Sequence, residues 1–263
     1  MFLRPGRLLY VGAAEATDVH AHHAFQLMVS FAEPIELVGN GPRRVVSSTA
    51  LIPSDAAHAI GGPLSLVAIL YLDSDGPDGR RLRSLGVDRD DPRAWTRAAE
   101  CLEPLRRQRS PVRWADTTRF VAHGLTALLG SSADVSPPHP AVRRALAHVD
   151  RHLDQRMRIA DLAAASRVSP SHLSHLFARE VGIPVRPYLR WRRLQRAAER
   201  LAAGCSLTEA AHDAGFSDSA HLTHVFRRMF GVVPSAVTRA ALWVDGPTHE
   251  EGRFVQARQR VPR

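Results

Sequence analysis

Apolar residues along this chain follow two rhythms. Between residues 8 and 72 they come in short runs, at 8–11, 25–31, 35–38, 43–46, 50–52 and 64–72. Turn formers part several of them, at Glu33-Pro34, from Gly39 to Pro42 and from Gly61 to Pro63. Short strands with turn signals at this interval predict a small β-barrel or sandwich. Residues 73–90, rich in Asp, Gly and Arg, read as a loop with short helical turns. Beyond them the spacing lengthens to three and four. Trp95, Ala98, Ala99, Leu102 and Leu105 within residues 92–107, and Phe120, Val121, Leu125, Leu128 and Leu129 within 114–129, each predict a helix with one apolar stripe. Residues 130–140 hold Gly, Ser, Asp and Pro with no helical period, which is the composition of a linker.

The later part of the chain repeats itself. His172-Leu173-Ser174-His175-Leu176-Phe177 returns forty-nine positions on as His221-Leu222-Thr223-His224-Val225-Phe226. Before each copy lies a short alanine-rich run, 159–165 and 207–212, too small to bury a face alone, and then a break. In the first break Ser169 is suited to cap the next helix and Pro170 to its first turn. In the second, Gly215 suits the positive φ of a tight turn, and Ser217 or Asp218 can cap. A short helix, a tight turn and a capped second helix make a helix-turn-helix, whose second helix enters the major groove of DNA.

Within the second helices Leu173, Leu176 and Phe177, and likewise Leu222, Val225 and Phe226, fall at i, i+3, i+4 and form a buried stripe. Ser171, Ser174 and His175 in one copy, and Ser219, Ala220, Thr223 and His224 in the other, are left on a free face. These side chains are small or hydrogen-bonding, as base reading requires. His172 and His221 lie beside the stripe and are expected to pack or cap. Residues 187–203 form a connecting helix ended by Gly204, spanning roughly 26 Å at ~1.5 Å per residue, enough to hold two reading helices about one DNA turn apart. Ser206 and Glu209 form a capping box for the helix that follows. Arg186 and Arg190 are candidates for phosphate contact.

Charge sharpens this picture. Residues 1–138 carry 15 arginines and 15 acids, while 139–239 carry 16 arginines and 8 acids, so the basicity lies where DNA would bind. Every basic residue is Arg, which reads as a GC-rich genome rather than a functional signal.

Residues 139–239 resemble the DNA-binding domain of the AraC/XylS family of bacterial transcription regulators. The resemblance rests on the Ile159-Ala-Asp-Leu-Ala start, Ser169-x-x-His-Leu-x-x-Leu-Phe177, Arg193-Leu-x-x-Ala197, Ala210-Ala-x-x-Ala-Gly-Phe216 and Phe226-x-x-x-Phe-Gly-x-x-Pro234. It implies a sequence-specific transcription regulator, an activator among its family roles, with double-stranded DNA as partner, and a mainly structural role for Arg193, which stands where the family motif has Arg. Family members often carry Arg, Gln or Trp on the reading face, where this chain has Ser171, Ser174 and Ala220, so the operator does not carry over.

The N-terminal part holds a second constellation, His20-x-His22-His23-x-x-Gln26 followed by Pro53-x-x-x-x-His58. It resembles the two motifs of the cupin barrel, in which paired histidines, a carboxylate and a later histidine converge on a metal. Gln26 stands where that family usually has Glu, and Asp55 where it usually has Gly. By resemblance, His20, His22, Gln26 and His58 line an effector pocket, and His20, His22 and His58 would supply imidazoles to Zn²⁺ or another divalent ion. No obligatory cofactor is expected. In the AraC/XylS family the helices after the barrel often pair two subunits, which makes a homodimer one reading; helices covering their own barrel are the other.

The expectation is therefore an α+β chain of two domains. A cupin-like β-barrel with following helices occupies 1–130, a linker 131–138, an all-α double helix-turn-helix domain 139–239, and a tail disordered beyond about Gly246 occupies 240–263. Cys101 and Cys205 lie far apart and form no metal cluster, as suits a reducing cytoplasm. The first residues are broken by Arg4, Pro5 and Arg7, so neither a signal peptide nor a membrane span is expected. The competing reading, a metal-dependent cupin enzyme with an appended helical domain, wants a complete metal set. Gln26 breaks it, and no catalytic residue is assigned.

Overall fold

The structure, a computed structural model, describes residues 2–4, 6–108, 110–111, 114–130, 136–155 and 157–235. The expected tail at 240–263 and most of the expected linker lie outside these residues. Two compact units emerge. One comprises residues 1–132, 202–204 and 226–263, the other 133–201 and 205–225.

The first unit begins with eight strands: β1 (Phe2–Arg4), β2 (Arg7–Ala14), β3 (Ala24–Ser30), β4 (Ile35–Val38), β5 (Arg44–Ser47), β6 (Thr49–Ile52), β7 (Ala59–Ile60) and β8 (Leu64–Asp73). They form two antiparallel sheets, one of five strands in the order β1-β2-β8-β3-β6 and one of three in the order β5-β4-β7. Instead of a single closed barrel, the described strands make this pair of sheets, so the part of the expectation that stands is a strand-rich region followed by helices. An isolated bridge, His20 to His58, adds to the pairing.

The central strand β3 is buried along its whole length, so its period of two sends side chains into two separate cores. Phe25, Leu27 and Val29 join Leu70, Leu72, Leu102, Leu105, Phe120, Leu125 and Leu129 on the helix-covered side. Met28 joins Ile35, Leu37, Ile52, Ile69 and Trp95 on the other. Gln26 shares the parity of Met28 and sits in register between Ile52 and Tyr71, a polar side chain sent to an apolar face.

Four helices follow: α1 (Pro77–Arg83), α2 (Pro92–Ala98), α3 (Glu103–Arg106) and α4 (Trp114–Leu129). The helix expected over 92–107 is in fact broken. Helix α2 stops at Ala98, and a short 3-10 turn, Glu100–Leu102, leads into α3 with Pro104 in its first turn. That proline lacks the N–H that a continuous helix would need. The stripe of α4 is spent within the chain, since Phe120, Leu125 and Leu129 are buried in the core of their own unit.

Six further helices are α5 (Pro140–Arg151), α6 (Ile159–Ser166), α7 (Pro170–Val181), α8 (Val185–Ala202), α9 (Leu207–Asp213) and α10 (Ser219–Phe230). A core shared by the first four gathers Val142, Ala145 and Val149 of α5, Leu162 of α6, Leu173, Leu176 and Phe177 of α7 and Tyr188 of α8. Each large apolar side chain fully buried in this way contributes ~1.5–3 kcal/mol.

Candidate functional site

Two sets of side chains carry the chemistry. The first is the pair of helices expected to read bases. Helix α7 starts where Ser169 accepts a hydrogen bond from the His172 backbone N–H at 3.2 Å, with Pro170 in its first turn. Helix α10 starts the same way, with Asp218 Oδ1 accepting from His221 N–H at 2.7 Å. The turns that set each pair differ. Gly215 takes φ +76° in the second, and a Cβ there would come within 3.2 Å of Arg193 and 3.3 Å of the Leu153 carbonyl. In the first turn Arg167 adopts φ +57° without a glycine.

Burial of Leu173, Leu176 and Phe177 turns Ser171, Ser174 and His175 outward, all exposed. Burial of Leu222, Val225 and Phe226 does the same for Ala220 and His224, with Ser219 and Thr223 half-buried beside them. His172 and His221 are both exposed; the His221 ring packs edge-on against Phe216 and its Nδ1 lies 3.1 Å from Ser217 Oγ, in line with the packing expected of it. Arg186 and Arg190 are exposed on the first turns of α8. Arg193 is tied to the Gln155 carbonyl at 3.0 Å, and burial lowers the pKa of its guanidinium. Sequence reasoning missed Arg144, whose guanidinium holds the Ser166 carbonyl at the end of α6 at 2.8 Å. No local motif marks that interaction.

The second set is a buried cluster of histidines. Antiparallel backbone bonds of 2.9 Å in both directions bridge His20 and His58, and their ring centroids lie 4.2 Å apart. His22 joins at 5.1 Å from His58, and Gln26 reaches in from β3. A ring nitrogen from each histidine lies within 4.8 Å of those of the other two. All four residues are buried. Tyr71, which sequence reasoning passed over, stacks edge-on against His22 at 5.1 Å. The pairing of β8 with β3 puts it opposite Gln26, a register that only the fold reveals.

Hydrogen bonds fix the tautomers. Nδ1 of His20, His22 and His58 faces the carbonyls of Asp18, Ala24 and Ala56 at 2.8, 3.2 and 2.9 Å. A carbonyl only accepts, so each Nδ1 donates and each Nε2 keeps its lone pair. Burial pushes all three imidazoles below their usual pKa, His22 to about 4, so they are neutral at neutral pH. Gln26 Oε1 lies 2.7 Å from His22 Nε2 and 3.1 Å from His58 Nε2. With both nitrogens acting as acceptors, a half-turn of the carboxamide would bring its NH₂ end to them, one hydrogen each. The oxygen itself faces the same centre as the two nitrogens.

His23 turns away from this cluster. Its Nδ1 lies 3.1 Å from both Asp55 Oδ2 and Ser54 Oγ. Burial alone would raise the Asp55 carboxyl, but hydrogen bonds from His23 and Ser54 hold it below its usual range. Asp55 itself takes φ +61°, which accounts for the glycine usual at that position of the resembled motif.

Known proteins resemble the chain in two ways. Residues 162–240 match the family described as Helix-turn-helix domain. The regulatory protein PocR of Salmonella typhimurium is 32% identical over 101 residues, 38% of this chain and 33% of PocR. The arabinose operon regulatory protein of Escherichia coli is 34% identical over 104 residues, 38% of this chain and 35% of that protein. The chain thus spans about a third of the length of the curated relatives it matches. Among solved structures, ToxT from Vibrio cholerae is similar in fold, with a TM-score of 0.57 at 12% identity over 90% of this chain and 98% of ToxT. ToxT has also been solved with an unsaturated fatty acid bound, and that structure matches at a TM-score of 0.56 and 12% identity over 92% of this chain and 98% of that one. Residues 162–240 match a helix-turn-helix domain, and it is over this part that the chain is similar to regulatory proteins such as PocR and the arabinose operon regulatory protein.

Proposed function

We propose that this chain is a sequence-specific DNA-binding transcription regulator, not an enzyme, whose N-terminal unit senses a small molecule. The observation that carries the reading is the pair of capped helices, α7 and α10, each with an apolar stripe buried and a small, polar face exposed, in a segment with twice as many arginines as acids. Ser171, Ser174, His175, Ser219, Ala220, Thr223 and His224 read bases, while Arg186 and Arg190 neutralise phosphates. Such a protein works in the cytoplasm, where its DNA is, and no helix among the described residues is long and apolar enough to cross a membrane. The domain that binds DNA is residues 139–239, joined by 131–138 to the sensing part. Relatives named as transcriptional activators support activation as its mode. The test is selection of preferred duplexes by the purified chain and by its His175→Ala and His224→Ala variants. Each variant should change preference at a few base pairs, and a chain that enriches no sequence contradicts the reading.

The small molecule enters at His20, His22, Gln26 and His58, in the cupin-like part of the chain. Ligand-bound ToxT supports a sensing role for the equivalent unit. A second reading of this cluster is favoured by its tautomers. Three neutral Nε2 atoms with fixed rings are the donor set of a divalent ion such as Zn²⁺, with the Gln26 oxygen as a weak fourth ligand. Bound there, the ion would supply a Lewis-acidic anchor for an anionic effector. Gln26→Glu should raise metal affinity severalfold, read by zinc titration against a chelating dye, and unchanged affinity removes this reading.

A further inference from the structure

Outside the sensing cluster, the feature that carries most is the correspondence between the two reading helices. Forty-nine positions separate Ser174 from Thr223, His175 from His224 and Arg179 from Arg228, as they separate the buried Leu173 from Leu222 and Phe177 from Phe226. Both helices run for 12 residues and start on a side-chain cap three residues before the first histidine. The reading faces are thus matched in chemistry as well as in position.

The hydroxyls are matched in direction too. Ser174 Oγ donates to the Pro170 carbonyl at 2.8 Å, and Thr223 Oγ1 donates to the Ser219 carbonyl at 2.8 Å. A hydroxyl has one proton, and in both helices it is spent on the carbonyl four residues back. What each offers outward is lone pairs alone. In the major groove the edges that donate are the amines of adenine (N6) and cytosine (N4), whereas guanine O6 and N7 and thymine O4 only accept. A hydroxyl held this way selects for A or C.

We propose that the DNA target of this chain is internally repeated: two copies of one short base pattern about a helical turn apart, each with an amine-bearing base, adenine or cytosine, opposite Ser174 in one copy and Thr223 in the other. The proposal rests on the function argued above and names the substrate of that same interface. The copies part where Ser171 faces its counterpart Ala220, whose methyl group suits the methyl of thymine but offers no hydrogen bond.

The test is selection from a random duplex library by the full chain, by Thr223→Val, which keeps the branched shape and removes the acceptor, and by Thr223→Ser, which keeps the hydroxyl. The wild-type site should contain the same pattern twice, with centres ~10 base pairs apart. Thr223→Val should lose its A-or-C preference, a change on the order of tenfold, at one position in one copy only. Thr223→Ser should retain it, which separates removal of the acceptor from damage to the helix. Halves unrelated in base content, G or T at both marked positions, or a Thr223→Val preference identical to the parent would overturn the proposal while leaving specific DNA binding intact. A chain that enriches no sequence would overturn the functional reading first, and this one with it.

Discussion

At single residues the chain shows where it carries strain and where it carries buried polarity. Arg167 makes the first helix-turn-helix turn at φ +57°, where an L-residue costs roughly 1–2 kcal/mol relative to glycine. Glycine would take back about 0.4–1 kcal/mol through its freedom in the unfolded chain. Arg167→Gly should therefore raise stability by roughly 0.5–1 kcal/mol, the difference of those two effects, read from the urea midpoint. A decrease would mean that the arginine side chain makes a stabilising interaction of its own. His22 acts in the opposite sense. Its pKa falls to about 4 in the folded chain, against about 6.5 unfolded, so between those pH values the unfolded chain binds more protons. Stability of the strand-rich unit should hold above about pH 6.5, fall as the pH drops towards about 4 and level off below it. His22 alone accounts for a loss on the order of 3 kcal/mol. Amide exchange of β3 in chelator-treated protein follows this loss, and His22→Gln should flatten the slope. An unchanged slope would mean that His22 is not the titrating group.

Elements divide by how locally they are determined. Helices α7 and α9 are legible in the sequence because their signals are near-neighbour ones: Ser169 with Pro170, and Ser206 with Glu209, whose mutual bonds close a capping box at 3.2 and 2.8 Å. The repeat and its turns are legible for the same reason, down to the positive φ of Gly215. Strand β7, two residues long, exists because it pairs with β4, and β1 because it pairs with β2; neither carries a pattern of its own. The break between α2 and α3 is hidden by an apolar stripe that continues across it, with Ala99 and Leu102 both buried. Of the histidine cluster, His20, His22, Gln26 and His58 can be picked from spacing, whereas Tyr71 requires the register of β3 on β8. Helix α8 supplies a prediction at this scale. Arg186 and Arg190 stand exposed on its first turns, so replacing either with Ala should weaken binding to all duplexes alike. The slope of log affinity against log salt should flatten by about 0.9 for each phosphate left without its arginine, measured by fluorescence anisotropy. A variant that instead shifts base preference would move that arginine to the reading face.

For the molecule as a whole the decisive feature is the division of charge. Residues 1–138 are balanced, whereas 139–239, the segment that also carries α7 and α10, holds 16 arginines against 8 acids. In the proposed function a phosphate backbone attracts such a segment whatever its sequence, and the matched faces of α7 and α10 add discrimination between sequences. Attraction and discrimination are tested together by titrating the full chain against its selected duplex and a scrambled duplex of equal length at about 50 and 200 mM salt. Both affinities should fall steeply between the two salts, and the selected duplex should be bound about a thousandfold or more tightly at the higher one. Equal affinity for the two duplexes, or binding indifferent to salt, would contradict a regulator that reads DNA through these two helices.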